Sequence, residues 1–135
     1  MCRSRSVVKK MIQFDSNHQT TNEPLNMLTI KHQGGWDPKT NIIPTSVISQ
    51  IDQAFANVEL ALKDSGVQAG WKAVFRVNSY HVGLEGKQEE MLGRMVENMK
   101  KYMPDHEPIW TCVGVPALGE PEMKVEIEVV AFDEK

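Results

Sequence analysis

At 135 residues and 15.3 kDa the chain has room for one domain with a real hydrophobic core and not for two. Hydrophobic residues at 41% and charged residues at 24% match an ordinary folded protein, which argues against a disordered or fibrous chain. A formal charge of -3 and a pI near 5.8 supply no positive field to gather phosphates, so nucleic acid is a disfavoured partner.

No stretch reaches the roughly 20 apolar residues that cross a bilayer, and the start lacks the apolar core of a secretory signal. The expected location is inside the cell, in the cytoplasm. Cys2 and Cys112 are too far apart in sequence to make a disulfide framework and read as reduced thiols. Residues 1–24 place Arg3, Arg5, Lys9 and Lys10 ahead of the first acid, Asp15, with little hydrophobic periodicity. They read as a divergent or disordered tail on a domain spanning 25–135. An acid-poor start with Arg and Ser also fits a mitochondrial transit peptide.

Leu25 to Gln33 alternates Leu28 and Ile30 with Met27 and Thr29, which predicts a strand ending at Gly34-Gly35. Asp37-Pro38-Lys39-Thr40-Asn41 then supplies turn chemistry, with proline fixing φ and the Asp and Asn side chains able to bond the local backbone. From Ser46, the residues Val47, Ile51, Ala54, Phe55, Val58, Ala61 and Leu62 recur at steps of three and four, the stripe of a helix packed on one face. Thr45 or Ser46 can cap its start, and Gly66 follows its end.

Trp71 to Val82 reads as a strand with Trp71, Ala73, Phe75 and Val77 on one face and Lys72, Val74, Arg76, Asn78 and Tyr80 on the other. A second helix is expected from about Lys87 to Met103, with Met91, Leu92, Met95, Val96, Met99 and Met103 as its apolar side and Pro104 at its end. The methionines are core packing. Two further strands follow, Ile109–Val115 and Met123–Phe132. This order gives an α+β fold whose two helices cover one sheet face, leaving the other to a second subunit.

Three segments carry a resemblance: Gln33-Gly34-Gly35-Trp36-Asp37-Pro38-Lys39-Thr40, Val77-Asn78-Ser79-Tyr80-His81-Val82, and Tyr102 to Val115 with its Pro108-Ile109-Trp110-Thr111-Cys112 core. With the closing Lys124-Val125-Glu126-Ile127-Glu128-Val129-Val130-Ala131, they make residues 28–132 resemble the RidA (YjgF, L-PSP) family. The resemblance implies a chorismate-mutase-like α+β subunit, a mixed sheet with two helices on one face. It also implies a homotrimer with ligand clefts between subunits and hydrolysis of reactive enamines or imines to 2-keto acids and ammonia. An imino or keto acid is then the expected ligand. Older names in the family point to endoribonuclease activity. No metal or organic cofactor is implied.

The family pattern has an arginine where this chain has Trp110, and that arginine would clamp a substrate carboxylate through two charge-assisted hydrogen bonds. An indole offers one neutral donor, and a hydrogen bond to a charged group is worth roughly 1.5–3 kcal/mol. Glu126 matches the glutamate that the resemblance implies for positioning water. By its strand alternation alone, it could equally face solvent or pair with Lys124. Gly34 and Gly35 would offer backbone N–H groups to a ligand, or simply form a turn. Thr111 and Cys112 would line the cleft, although threonine is a common strand residue and a lone strand cysteine is usually a small buried hydrophobe.

Other positions depart from the pattern. The ligand-covering tyrosine of the family's first hairpin and the strand carrying it are missing from residues 1–27. Gly93 stands where an asparagine is common, and Lys31-His32 replaces Ser-Gly. A diverged hairpin or an incorrect gene model accounts for the first of these. His18, His32, His81 and His106 lack zinc-site spacing, so no metal is assigned. His106 reads as a helix-end cap; His81 closes a strand and could be functional, but a lone strand histidine is more often structural.

Two functional readings follow. The first is a cleft enzyme using Glu126 with backbone groups near Gly34, Gly35 and Thr111, which releases ammonia. The second is a binding or regulatory trimer that has lost the clamp, with Trp110 lining a more apolar cleft. Endoribonuclease activity ranks last, because no basic stripe with interleaved aromatics is present.

Overall fold

A computed structural model describes residues 12–13 and 25–134. The elements are β1 (Ile12–Gln13), β2 (Leu25–Gly34), α1 (Val47–Asp64), a 3-10 turn (Gly70–Ala73), β3 (Val74–Val82), α2 (Gln88–Tyr102), β4 (Ile109–Val115) and β5 (Val125–Glu134). The strands form one mixed sheet ordered β1-β2-β5-β3-β4, antiparallel except for the β3·β4 pair. Most of the expected tail lies outside the described residues, but Ile12 and Gln13 within it pair antiparallel with Met27 and Asn26, which corrects the expectation that residues 1–27 carry no strand before β2.

Both helices lie on one face, giving the α+β architecture expected from the periodicity. Ile51, Ala54, Phe55, Val58 and Leu62 of α1 meet Met91 and Met95 of α2 over Ile30, Val77, Val125, Ile127 and Val129 of the sheet, all of them buried. Ser46 caps α1, its hydroxyl accepting the Ser49 N–H at 3.3 Å, and Gly66 beyond the helix takes a left-handed φ of 95°. The helices are also fastened at the surface. Arg94 grips Asp52 through two 2.7 Å hydrogen bonds, and Asn98 donates to the same carboxylate at 2.8 Å.

Several expectations are corrected. Trp71 to Ala73 is a 3-10 turn, not the start of a strand. The Glu59 carboxylate accepts the Trp71 backbone N–H at 3.0 Å, and the indole donates to the Phe55 carbonyl at 2.9 Å. These bonds bury Trp71 flat against Phe55, with ring centroids 4.7 Å apart. A register shift between Val74 and Arg76 then puts Val74 in the core and leaves Phe75 against Phe132 on the other side. Val96, counted on the apolar side of α2, is exposed, while the polar Asn98 is buried in its contact with Asp52.

His106 does not cap α2. Its Nε2 donates to the Val74 carbonyl at 2.7 Å, beside that register shift, and so ties the α2–β4 loop to the start of β3.

Candidate functional site

The Gly34-Gly35-Trp36 segment rests on side-chain amides of α1. Asn57 Nδ2 donates to the Gly34 and Trp36 carbonyls, each at 2.8 Å, while its Oδ1 accepts from Gln53 at 3.0 Å. Two turns earlier on the same face, buried Gln50 donates to the Pro44 and Glu122 carbonyls at 2.7 and 2.9 Å and accepts the Lys124 N–H at 2.8 Å. Two loops distant in sequence are thus pinned to one helix. Gly35 is dictated by this packing, because a Cβ there would collide with the backbone of Gln50, including its Cα at 2.5 Å. A Cβ on Gly34 would instead meet the side chains of Trp36 and Met123. Beyond the segment, Asp37 accepts the Lys39 and Thr40 N–H groups at 2.8 and 3.0 Å, and these bonds, that of Thr40 foremost, hold its carboxyl below the usual range.

Strand alternation divides the expected site residues between the two sheet faces. Trp110 and Cys112 point toward the helices. The Trp110 ring packs against the core, and its indole N–H donates to Ser79 Oγ at 2.8 Å. Ser79 is fully buried and lies 2.9 Å from His81 Nε2, so one hydroxyl bridges an indole and an imidazole. Burial lowers the His81 pKa to about 4, which keeps the ring neutral, and its Nδ1 is buried with no hydrogen-bond partner among the described residues. Burial also pushes the Cys112 thiol up, opposed by the Ser79 hydroxyl, so this cysteine is not an activated nucleophile.

Glu126 and Thr111 point the other way. On that open face Glu126 is in register with Tyr80, and Tyr80 with Val113. The next row is Glu128, Asn78 and Thr111, in which Asn78 donates to Glu128 at 3.1 Å. Gly34 is the β2 partner of Glu126. Within one subunit, therefore, Gly34, Glu126 and Thr111 share a region of the sheet, whereas Trp110 and Cys112 lie behind it. Ile109 and Val113 are 59% and 39% exposed on the open face, and β4 pairs only with β3 among the described strands.

Residue-by-residue reading missed Gln50, Asn57 and Ser79 as organisers of these regions, whereas His81, expected to be structural, is buried against Ser79. A signal existed for Ser79, which follows Val77 in the alternating phase that faces the core. Among the described residues, no three His, Cys, Asp or Glu side chains gather as a metal site, and no helix is long and apolar enough to cross a membrane.

Comparison with known proteins supplies the lineage. The sequence model of the family described as endoribonuclease L-PSP matches residues 17–133. A search of curated proteins finds no match. Among solved structures, an endoribonuclease-like protein from Thermotoga maritima superposes with a TM-score of 0.69 at 21% identity, covering 89% of this chain and 91% of that one. The Escherichia coli protein TdcF, solved with bound serine, gives 0.69 at 20% identity over 79% and 80% of the two chains. RidA from an Antarctic Psychrobacter gives 0.69 at 22% over 79% and 80%. At these identities the structural likeness speaks for the fold. With the family model matching most of its length, the chain belongs to the L-PSP family, also called YjgF or RidA.

Proposed function

We propose that the protein is a small-molecule-binding member of its family, assembled as a homotrimer that holds a metabolite such as a keto or imino acid in clefts between subunits. The exposed Ile109 and Val113 on an otherwise uncovered sheet face favour assembly through that face. The serine bound to TdcF supports a small polar ligand for this fold. The observation that carries binding over turnover is the Trp110–Ser79 hydrogen bond. Residue 110 is neutral, and its single donor is engaged within its own subunit. Arg94 does not substitute for the clamp, since its guanidinium is committed to Asp52 and Glu97.

Hydrolytic deamination is the second reading, favoured by the position of Glu126 on the open face beside Gly34. In that case another group holds the carboxylate, and Glu126 positions the attacking water. The word endoribonuclease in the family's description has little support in this chain, whose net charge of -3 attracts no phosphate backbone.

The test is ammonia release from freshly generated 2-iminobutyrate by the wild type, Trp110→Arg and Glu126→Ala, with the assembly sized by light scattering. A silent wild type with activity appearing in Trp110→Arg supports the binding reading. Wild-type turnover that disappears in Glu126→Ala overturns it in favour of deamination.

A further inference from the structure

A cavity of about 330 Å³ opens between the β2–α1 loop and the C-terminal half of α1, on the helix side of the molecule and away from the face that carries Glu126. That volume suits a ligand of a few heavy atoms. Its apolar lining is Trp36, Pro38, Leu60 and Ala61; its polar lining is Gln33, Asn57 and Asp64.

The polar groups set the sign of the ligand. Asn57 has no amide hydrogen to offer, because both serve the Gly34 and Trp36 carbonyls. Gln33, only 8% exposed, commits one of its two amide hydrogens to the Lys31 carbonyl at 3.1 Å. Asp64 is exposed and, among the described residues, is the one formally charged residue of the lining. The remaining donors, the second Gln33 N–H and the Trp36 indole N–H, are neutral. A wall whose formal charge is a carboxylate, set beside an aromatic ring, attracts a cation that brings its own hydrogens and an apolar body.

We propose that this cavity is a binding site for a small primary amine in its ammonium form. The ammonium group sits between the Asp64 carboxylate and the Trp36 ring, and its hydrocarbon stem lies on Leu60 and Ala61. The site is independent of the inter-subunit clefts and of any deaminase chemistry.

Benzylammonium is the probe, with benzyl alcohol and benzoate as neutral and anionic comparators, and amide NMR shifts are the readout on the full chain. Benzylammonium produces saturable shifts at Gln33, Trp36 and Ala61, and benzoate produces none there. Asp64→Asn weakens binding roughly threefold to fivefold, as expected for one exposed charge contact. Leu60→Lys, a change at an exposed position, abolishes it by placing a cation in the cavity. The proposal is overturned by benzoate binding as well as benzylammonium, or by unchanged affinity in Asp64→Asn. It is also overturned by shifts that fail to saturate at about 10 mM, where a ligand with a Kd of about 1 mM is ~90% bound.

Discussion

The Trp110 indole N–H donates to Ser79 Oγ across 2.8 Å, so the only polar side-chain atom of residue 110 is engaged inside its own subunit. The bridge continues to His81 Nε2, 2.9 Å from the same oxygen. Removing the hydroxyl in Ser79→Ala leaves a half-buried indole donor and a buried imidazole nitrogen without their partner. The expected loss is about 1–3 kcal/mol in urea unfolding. Trp110→Phe keeps a ring but no donor, and a double-mutant cycle with Ser79→Ala isolates the bond itself, with an expected coupling of about 1 kcal/mol. Coupling indistinguishable from zero would show that the contact does not hold Trp110 in place.

His81 makes stability depend on pH. Its folded pKa of about 4 lies below the ordinary histidine value of 6.5, so between those values the unfolded chain binds a proton that the folded chain refuses. Stability is therefore present above about pH 6.5 and is lost as pH falls toward 4. The slope approaches ~1.4 kcal/mol per pH unit in mid-window for a single group. Chemical unfolding at pH 7, 6, 5 and 4 reads this directly. In His81→Gln the slope across this window flattens; an unchanged slope would assign the acid sensitivity to other groups.

Much of this architecture was legible because apolar spacing is a direct record of burial. Val47, Ile51, Ala54, Phe55, Val58 and Leu62 mark the face of α1, and the alternation of Val125, Ile127 and Val129 marks the core side of β5. The 3-10 turn at Gly70–Ala73 was hidden, because alternation of Trp71 and Ala73 with Lys72 mimics a strand while the deciding contacts come from Phe55 and Glu59. Gln50 and Asn57 were hidden for a related reason. A hydrophobic stripe discounts polar residues, yet these two face inward because loop carbonyls from far along the chain need donors there. For the candidate site, alternation in β4 already separates Trp110 from Thr111. What it could not supply is the identity of the groups waiting behind the strand, Ser79 and His81.

The helix pair offers a test of charge geometry. Arg94 binds Asp52 through two parallel hydrogen bonds, and this contact lowers the Asp52 pKa, with Asn98 adding to it. Lysine retains the charge but not the fork, so Arg94→Lys loses the bidentate bond. Both side chains are more than a third exposed, which limits the effect to about 0.5–1 kcal/mol, and the loss shrinks in high salt. Asp52→Asn produces a similar loss at pH 7. Once the pH has fallen through the lowered folded-state pKa, Asp52 is protonated in both states, so the wild type and Asp52→Asn converge as acid is added.

Gly34 and Gly35 are adjacent, but their tolerance of a methyl group differs. At Gly35 the added carbon meets the backbone of Gln50, whose helix is anchored by three side-chain hydrogen bonds to Pro44, Glu122 and Lys124 and cannot retreat. At Gly34 it meets the Trp36 ring at 2.6 Å and the end of the Met123 side chain at 2.7 Å, and a methionine terminus can rotate away more cheaply than a helix can shift. Gly35→Ala is therefore expected to lose about 2–3 kcal/mol or more, in the upper range for overpacking, and Gly34→Ala about 1–2 kcal/mol. Thermal unfolding orders the two variants. Removing the anchor tests the same logic from the other side, since Gln50→Ala leaves two carbonyls and one N–H unpaired but loosens the contact against Gly35. The destabilisation of Gly35→Ala should then be smaller in the Gln50→Ala background than in the wild type. Strict additivity of the two changes would mean that α1 is held against Gly35 by its apolar face alone.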